Sequence, residues 1–378
     1  KYRRGRLRAE LERNDIALAI LTNPVTLRYV ADFRDYALFQ AHIPIYYAFL
    51  GVSGPLVMHG AGAQSTGMDI ERQPARSISA FNAGPNLSTE AKQLAEDVRK
   101  TLTANGATNS RVAVEAANPS LIRALIETGI EVVDATFLVD HVRAIKSAAE
   151  IQCMRWSIQV AEFAMRQLRD AMHPGVSENQ LWSVLNAVNI ANDGDWSDGR
   201  MLCSGPRTNP WLQHATDRII EAGDLVAFDT DLVGPFGYCA DISRTWICGD
   251  APPTGEALDL YQRAAQEIHE NMARVKAGVT FNELSQGGFR QPDRFIGNRY
   301  VCLAHGVGMC DEWPKIPYRQ DWANRGYDGE LVANMVLCVE SYVGAQKGAG
   351  GVKLEQQILV TKYGYELLST YPLETDWL

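Results

Sequence analysis

Apolar positions fall into two regimes along the chain. In residues 1–144, short apolar runs alternate with amphipathic stretches. IALAIL (16–21) reads as a buried strand stopped by Asn23-Pro24, and residues 45–52 and 111–116 read as two more strands. Residues 1–14 form a helix that is basic on one side, and residues 90–103 another helix between strands. Residues 138–144 close this unit, whose βα alternation is that of a small α/β domain. From residue 145 the pattern is α+β. Ser147-x-x-Glu150 is a capping box, followed at helical spacing by Ile151, Met154, Ile158, Ala161, Met165 and Leu168. That helix ends at Pro174-Gly175. Ser177-x-x-Gln180 opens a second helix to about residue 192. Residues 255–276 are a third, and residues 281–287 start a fourth segment. Strand-like runs lie at 201–204, 225–248, 300–303, 335–339 and 352–360. Two domains are expected, 1–144 and 145–378.

The run at 225–245, LVAFDTDLVGPFGYCADISRT, is the most informative. Two β-rich halves flank Gly234-Pro235-Phe236-Gly237, a hairpin signal. Asp229 and Asp231 are two apart, so they share one strand face, and folding about 235–236 puts Asp241 opposite them. Their neighbours Leu225, Val226, Phe228, Ile242 and Trp246 are apolar. Three solvated aspartates are therefore disfavoured, and a bound cation explains the cluster. Three later residues suit the same site: His305, between an apolar run and Gly306-Val307-Gly308; Glu340, ending the run 336–339; and Glu355, inside VKLEQQILV. Mostly oxygen ligands with one imidazole suit two bridged divalent ions such as manganese, iron, cobalt or zinc, ~3.5–4 Å apart.

Bulk properties narrow the function classes. The 378 residues are 46% hydrophobic and 21% charged, as in a globular protein. A net charge of -9 speaks against binding nucleic acid or an anionic membrane, and no apolar run reaches membrane-span length. Seven scattered cysteines fit a reducing compartment, so a cytoplasmic location is expected. Cys239, Cys248, Cys302 and Cys338 read as small core residues. No secretory leader is visible; the chain opens at Lys1, and residues ahead of it are left open. Tyr36, Phe39, His42, Tyr46 and Tyr47, near Arg34 and Asp35, read as packing and surface, or else as a lid or dimer contact.

IKSAAEI (145–151), FDTDLVGPFGYCADISRTW, HGVG (305–308), VESY (339–342) and GGVKLEQQILVT (350–361) together resemble the pita-bread fold of creatinase, prolidase, aminopeptidase P and methionine aminopeptidase. Residues 1–144 look like the creatinase-type N-terminal domain. The resemblance implies homodimers in which that domain caps the neighbour's active site. The sequence departs from the peptidases at three places. Asp229 and Asp231 bracket the position of a single peptidase aspartate. Asp311-Glu312 stands where peptidases read HE, and Glu340-Ser341-Tyr342 where they read EPG. His214, in NPWLQHATD, matches the substrate-side histidine. This pattern is similar to the dimethylsulfoniopropionate lyases of the fold, from marine bacteria. The resemblance implies Asp229, Asp231, Asp241, His305, Glu340 and Glu355 as metal ligands and Asp311 as general base. It also implies two divalent ions per chain, iron favoured, with zinc, manganese, cobalt or nickel as alternatives. The small zwitterionic substrate would be cleaved to dimethyl sulfide and acrylate. Trp313, Tyr300 and the segment 36–47 are candidates to face its sulfonium, with core packing beside Pro314 as the alternative for Trp313, and Tyr300 could also position the substrate or assist proton transfer. A proline-directed metallopeptidase and a non-catalytic binding module are the competing readings.

Overall fold

The computed structural model describes residues 1–34, 36–60 and 70–378; Asp35 lies outside them. The chain divides into two compact units, Lys1–Arg143 and Ala144–Leu378.

The first unit is a six-stranded mixed sheet flanked by helices. From edge to edge its strands are Ile70–Gln73, Leu56–His59, Tyr47–Gly51, Leu18–Leu21, Arg111–Val114 and Glu131–Asp134. Leu18–Leu21 is buried throughout, as its unbroken apolar run requires. Asn23 does more than end that strand. Its side chain accepts a hydrogen bond from the Val25 amide, and Pro24 follows at the first turn, so the helix Pro24–Ala31 begins there. The helix Leu87–Ala104 packs Ala91, Leu94, Ala95, Val98 and Leu102 into the sheet's core. Residues 138–143 belong to the helix Thr136–Arg143. The aromatic segment splits in two. Tyr47 is buried and stacks on His59, whereas Tyr36 is exposed and meets Phe39 edge-on.

The second unit opens with two helices whose starts are fixed by complete capping boxes, Ser147 with Glu150 and Ser177 with Gln180. The helix Ala148–Ala171 buries all six residues of its apolar stripe. The hairpin pairs Leu225–Asp229 with Ser243–Ile247 and, nearer the turn, Leu232–Val233 with Cys239–Ala240. A five-stranded antiparallel sheet carries the rest, in the order Asp311–Ile316, Ala304–Val307, Val336–Val343, Val352–Val360, Tyr365–Leu367. Helix Gly255–Met272 packs on that sheet, sharing its core through Leu260, Ala264, Ile268, Leu337 and Leu354. Among the described residues no helix is long and apolar enough to cross a membrane.

Three local expectations are corrected. Residues 300–303 form no strand; the strand is Ala304–Val307, so His305 sits inside it, not at its end. The run at 335–339 continues to Val343, which places Glu340 mid-strand. Apolar content alone set those boundaries, and polar residues inside a buried strand hide its true extent. The helix from residue 255 stops at Met272, four residues early.

Candidate metal centre

The hairpin does not bring its aspartates together by simple alternation. The regular ladder ends with Asp229 opposite Ser243. Asp231 then adopts a left-handed backbone, φ 36°. The Thr230 side chain replaces the interrupted ladder: its hydroxyl donates to the Ala240 carbonyl at 2.7 Å and accepts from the Ile242 amide at 3.0 Å. This kink lets Asp229, Asp231 and Asp241 converge, with ligand atoms all within 4.8 Å of one another.

The five-stranded sheet supplies the other side. Glu340 and Glu355 are direct cross-strand partners, and His305 lies opposite Cys338. Directly opposite residues share a sheet face. Atoms of Asp241, His305, Cys338 and Glu355 form a second group within 4.8 Å, so Asp241 belongs to both groups. His305 is held by Nδ1, 3.0 Å from the Gly306 carbonyl. With the proton placed there, Nε2 turns a lone pair toward Glu340 Oε1 at 3.2 Å, Asp241 Oδ2 at 3.5 Å and Glu355 Oε1 at 3.7 Å. In that neutral tautomer the arrangement suits a cation held between these atoms; without one, the protonated ring donates from Nε2 to Glu340.

The electrostatics say the same. Burial and mutual repulsion push Asp241 and Glu355 well above the usual carboxylate range, and Asp231 likewise, with Asp229 and Asp311 adding to it. Burial would raise Asp229 too, but the Lys353 ammonium and its neighbours hold it at about 2. Burial lowers the His305 imidazolium, yet Asp311, Glu340 and Glu355 outweigh it and raise it to about 10. Asp229 Oδ1, Asp241 Oδ1 and Glu355 Oε1 are buried and take no hydrogen bond among the described residues. An unsatisfied buried polar atom costs about 1–3 kcal/mol, so three converging ones fit coordination to a cation. Five carboxylates outnumber the Lys353 ammonium and the His305 imidazolium of the metal-free chain, and the net negative charge left over suits divalent cations.

Asp311 is the exposed carboxylate beside the cluster. It starts the strand Asp311–Ile316, its side chain is 60% exposed, and Oδ1 lies 3.7 Å from His305 Nδ1. Partial desolvation raises its carboxyl against the pull of His305, with Asp229, Glu340 and Asp198 adding to the rise. The next residue fixes the turn. Glu312 is buried and ion-paired to Lys146 at 2.9 Å, and it accepts from the Met309 amide. A side chain on Gly308 would collide with that carboxylate at 2.4 Å. Lys146 thus ties the start of this unit to the turn carrying Asp311. Lys146→Met strands a buried charge and is expected to cost about 3–5 kcal/mol, read as a lower urea midpoint in equilibrium unfolding.

His214 is exposed on a loop pinned by fully buried Glu178, which accepts from the amides and hydroxyls of Ser204 and Thr216 and pairs with Arg207. A Cβ on Gly199 would lie 3.5 Å from His214 Nε2. Trp313 packs between Phe281 and Tyr327, at centroid distances of 5.4 and 6.5 Å. The rings facing the Lys353 ammonium, and so the cage, are Tyr300 and Trp211.

Four residues near the site escape a reading of the sequence. Lys353 was detectable, since it lies two residues before Glu355 on a buried strand. Cys338 reads as core, and only strand register shows it beside His305. Trp211 and Asp198 carry no sequence signal. Asp198 is placed by its amide, which donates to the Asp231 carbonyl at 3.0 Å, while its carboxylate accepts from Trp196 Nε1 at 2.8 Å.

Comparison with known proteins gives the same architecture. Residues 152–362 match metallopeptidase family M24, and residues 3–145 match the creatinase/prolidase N-terminal domain. The chain is 36% identical to the dimethylsulfoniopropionate lyase DddP of Roseovarius nubinhibens, over 99% of this chain and 86% of that protein. It is 32% identical to DddP of Roseobacter denitrificans over the same shares. Among solved structures, the Xaa-Pro dipeptidase from Bacillus anthracis has a TM-score of 0.78 at 24% identity, covering 98% of both chains. Prolidase from Pyrococcus furiosus has a TM-score of 0.74 at 20% identity, covering 96% of this chain and 99% of that one. With a creatinase/prolidase N-terminal domain ahead of it and dimethylsulfoniopropionate lyases among its relatives, the chain belongs to metallopeptidase family M24.

Proposed function

We propose that the chain is a metal-dependent carbon–sulfur lyase that cleaves dimethylsulfoniopropionate to dimethyl sulfide and acrylate, acting as a homodimer with iron as the favoured ion. The observation that carries this reading is the sixth carboxylate. Asp311 stands outside the two converging groups and Glu340 beside them, 3.7 Å from His305 and exposed. Divalent ions held by Asp229, Asp231, Asp241, His305, Glu340 and Glu355 would bind the substrate carboxylate and stabilise the negative charge growing on it. Asp311 takes the proton from the carbon beside that carboxylate. The electron pair left there forms the carbon–carbon double bond, and the carbon–sulfur bond breaks with its pair going to sulfur. Dimethyl sulfide leaves neutral, so no acid is needed. Asp311 returns its proton to solvent, to which it is exposed.

The surroundings suit a cationic leaving group. Tyr300 and Trp211 offer aromatic faces, each worth ~0.5–2 kcal/mol to a cation, and Asp198 adds negative charge beside Asp231 and Asp311. The deciding experiment incubates the metal-loaded chain with dimethylsulfoniopropionate and, separately, with Xaa-Pro dipeptides. Dimethyl sulfide in the headspace with intact dipeptides is the expected result. Dipeptide hydrolysis without dimethyl sulfide refutes the lyase in favour of the peptidase. Neither product from a chain with full metal content returns the binding module.

A further inference from the structure

The strand Val352–Val360 places two charged side chains on one face, Lys353 and Glu355. Lys353 is fully buried. Its Nζ lies 2.5 Å from Ser243 Oγ, 2.6 Å from Glu340 Oε2, 3.0 Å from Asp229 Oδ2 and 3.1 Å from Glu355 Oε2. The rings of Tyr300 and Trp211 flank it, with centroids 4.7 and 5.8 Å from the nitrogen.

The contacts follow one rule. Each of three carboxylates gives one oxygen to the ammonium and turns the other elsewhere. Asp229 Oδ1 and Glu355 Oε1 are left without a hydrogen bond among the described residues. Glu340 Oε1 meets His305 Nε2. Lys353 therefore settles which oxygen of each pair remains for a metal. Burying an ammonium is costly, and a methionine would fill similar volume without that cost. A charge kept in such a place has carboxylates to hold.

We propose that Lys353 is a positioning residue, a resident cation that clamps the outer oxygens of Asp229, Glu340 and Glu355 and keeps the cage assembled when no metal is bound. This rests on reading the cage as a metal site, and adds that the protein carries its own stand-in charge. The clamp matters most in the metal-free chain, where His305 is the other cationic group facing these carboxylates and Lys353 alone touches Asp229, Glu340 and Glu355 together. Once divalent ions are bound they supply compensating charge, and losing Lys353 costs less.

The test compares thermal unfolding of the full-length wild type, Lys353→Met and Lys353→Arg. Each is stripped with a chelator and then titrated with manganese(II) chloride alone, with bound metal measured by elemental analysis. Metal-free Lys353→Met is expected to melt well below wild type, and manganese to recover most of the loss. The metal-induced shift is then larger in the variant than in wild type. Lys353→Arg, which keeps the charge, is expected to melt near wild type without metal. A purely packing role lowers Lys353→Met equally with and without manganese, and that result overturns the proposal. So does a metal-free Lys353→Arg as unstable as Lys353→Met. If Lys353→Met yields folded protein only with manganese, the proposal stands. If it never folds, Lys353→Arg decides: metal-free melting near wild type supports the clamp, and a loss that manganese does not recover overturns it. A wild type that neither binds manganese nor shifts its melting refutes the metal reading itself. A responsive wild type with equal losses in the variant refutes the lysine alone.

Discussion

Asp241→Asn is expected to leave the chain without its full metal complement and to abolish its turnover. Asp241 is the residue common to both groups of converging ligand atoms, so no other single change touches both positions. The amide keeps one weak donor oxygen and loses the charge that holds a divalent ion. Metal stabilisation of transition-state charge is worth several kcal/mol, and each 1.36 kcal/mol is tenfold in rate. The fall is therefore about 10³-fold or more. Elemental analysis beside the headspace assay checks it: full metal content in the variant would show that Asp241 is not a shared ligand. The variant is expected to fold, because losing one charge from a mutually repelling cluster relieves strain in the metal-free chain.

Asp311→Asn should separate chemistry from metal binding. Its side chain is 60% exposed and lies outside the converging ligand atoms, so metal content is expected to stay at the wild-type level. Turnover should fall by about 10²–10⁴-fold, the usual contribution of a positioned base. The pH profile gives a second readout. A base must be unprotonated, so turnover rises with pH through the Asp311 pKa. In the metal-free chain desolvation raises that pKa against the pull of His305, and bound divalent ions act in the opposite direction. In Asp311→Asn that rise should vanish. Wild-type turnover in the variant removes Asp311 from the mechanism.

Much of the architecture could be read from the residues because local signals agreed with each other. Both serine capping boxes begin helices where expected, and the stripe from Ile151 to Leu168 is buried. The convergence of Asp229, Asp231 and Asp241 was legible because a hairpin turn and apolar neighbours left few places for three carboxylates. How it happens was not. Alternation predicted a flat strand, whereas the left-handed Asp231 and the Thr230 hydroxyl make a kink. His305 and Glu340 were misplaced at strand ends, because a polar residue in a buried strand looks locally like a boundary. Trp313 and Tyr300 were both legible as aromatic candidates; the Trp313 ring packs with Phe281 and Tyr327, and Trp211 joins Tyr300 beside Lys353 without a sequence signal. Those pairings depend on contacts far apart in sequence, which periodicity does not encode.

The direct opposition of Glu340 and Glu355 also limits how this gene can drift. Side chains alternate faces along a strand, so one codon added between Val336 and Glu340, or between Glu355 and Val360, would turn part of that strand inside out. The Gly-rich connection at 344–351 lies outside that register, though Asn209 and Thr208 hold it at Ala345, Gly348 and Gly351. Variants of this chain should therefore keep the spacing within the two strands constant.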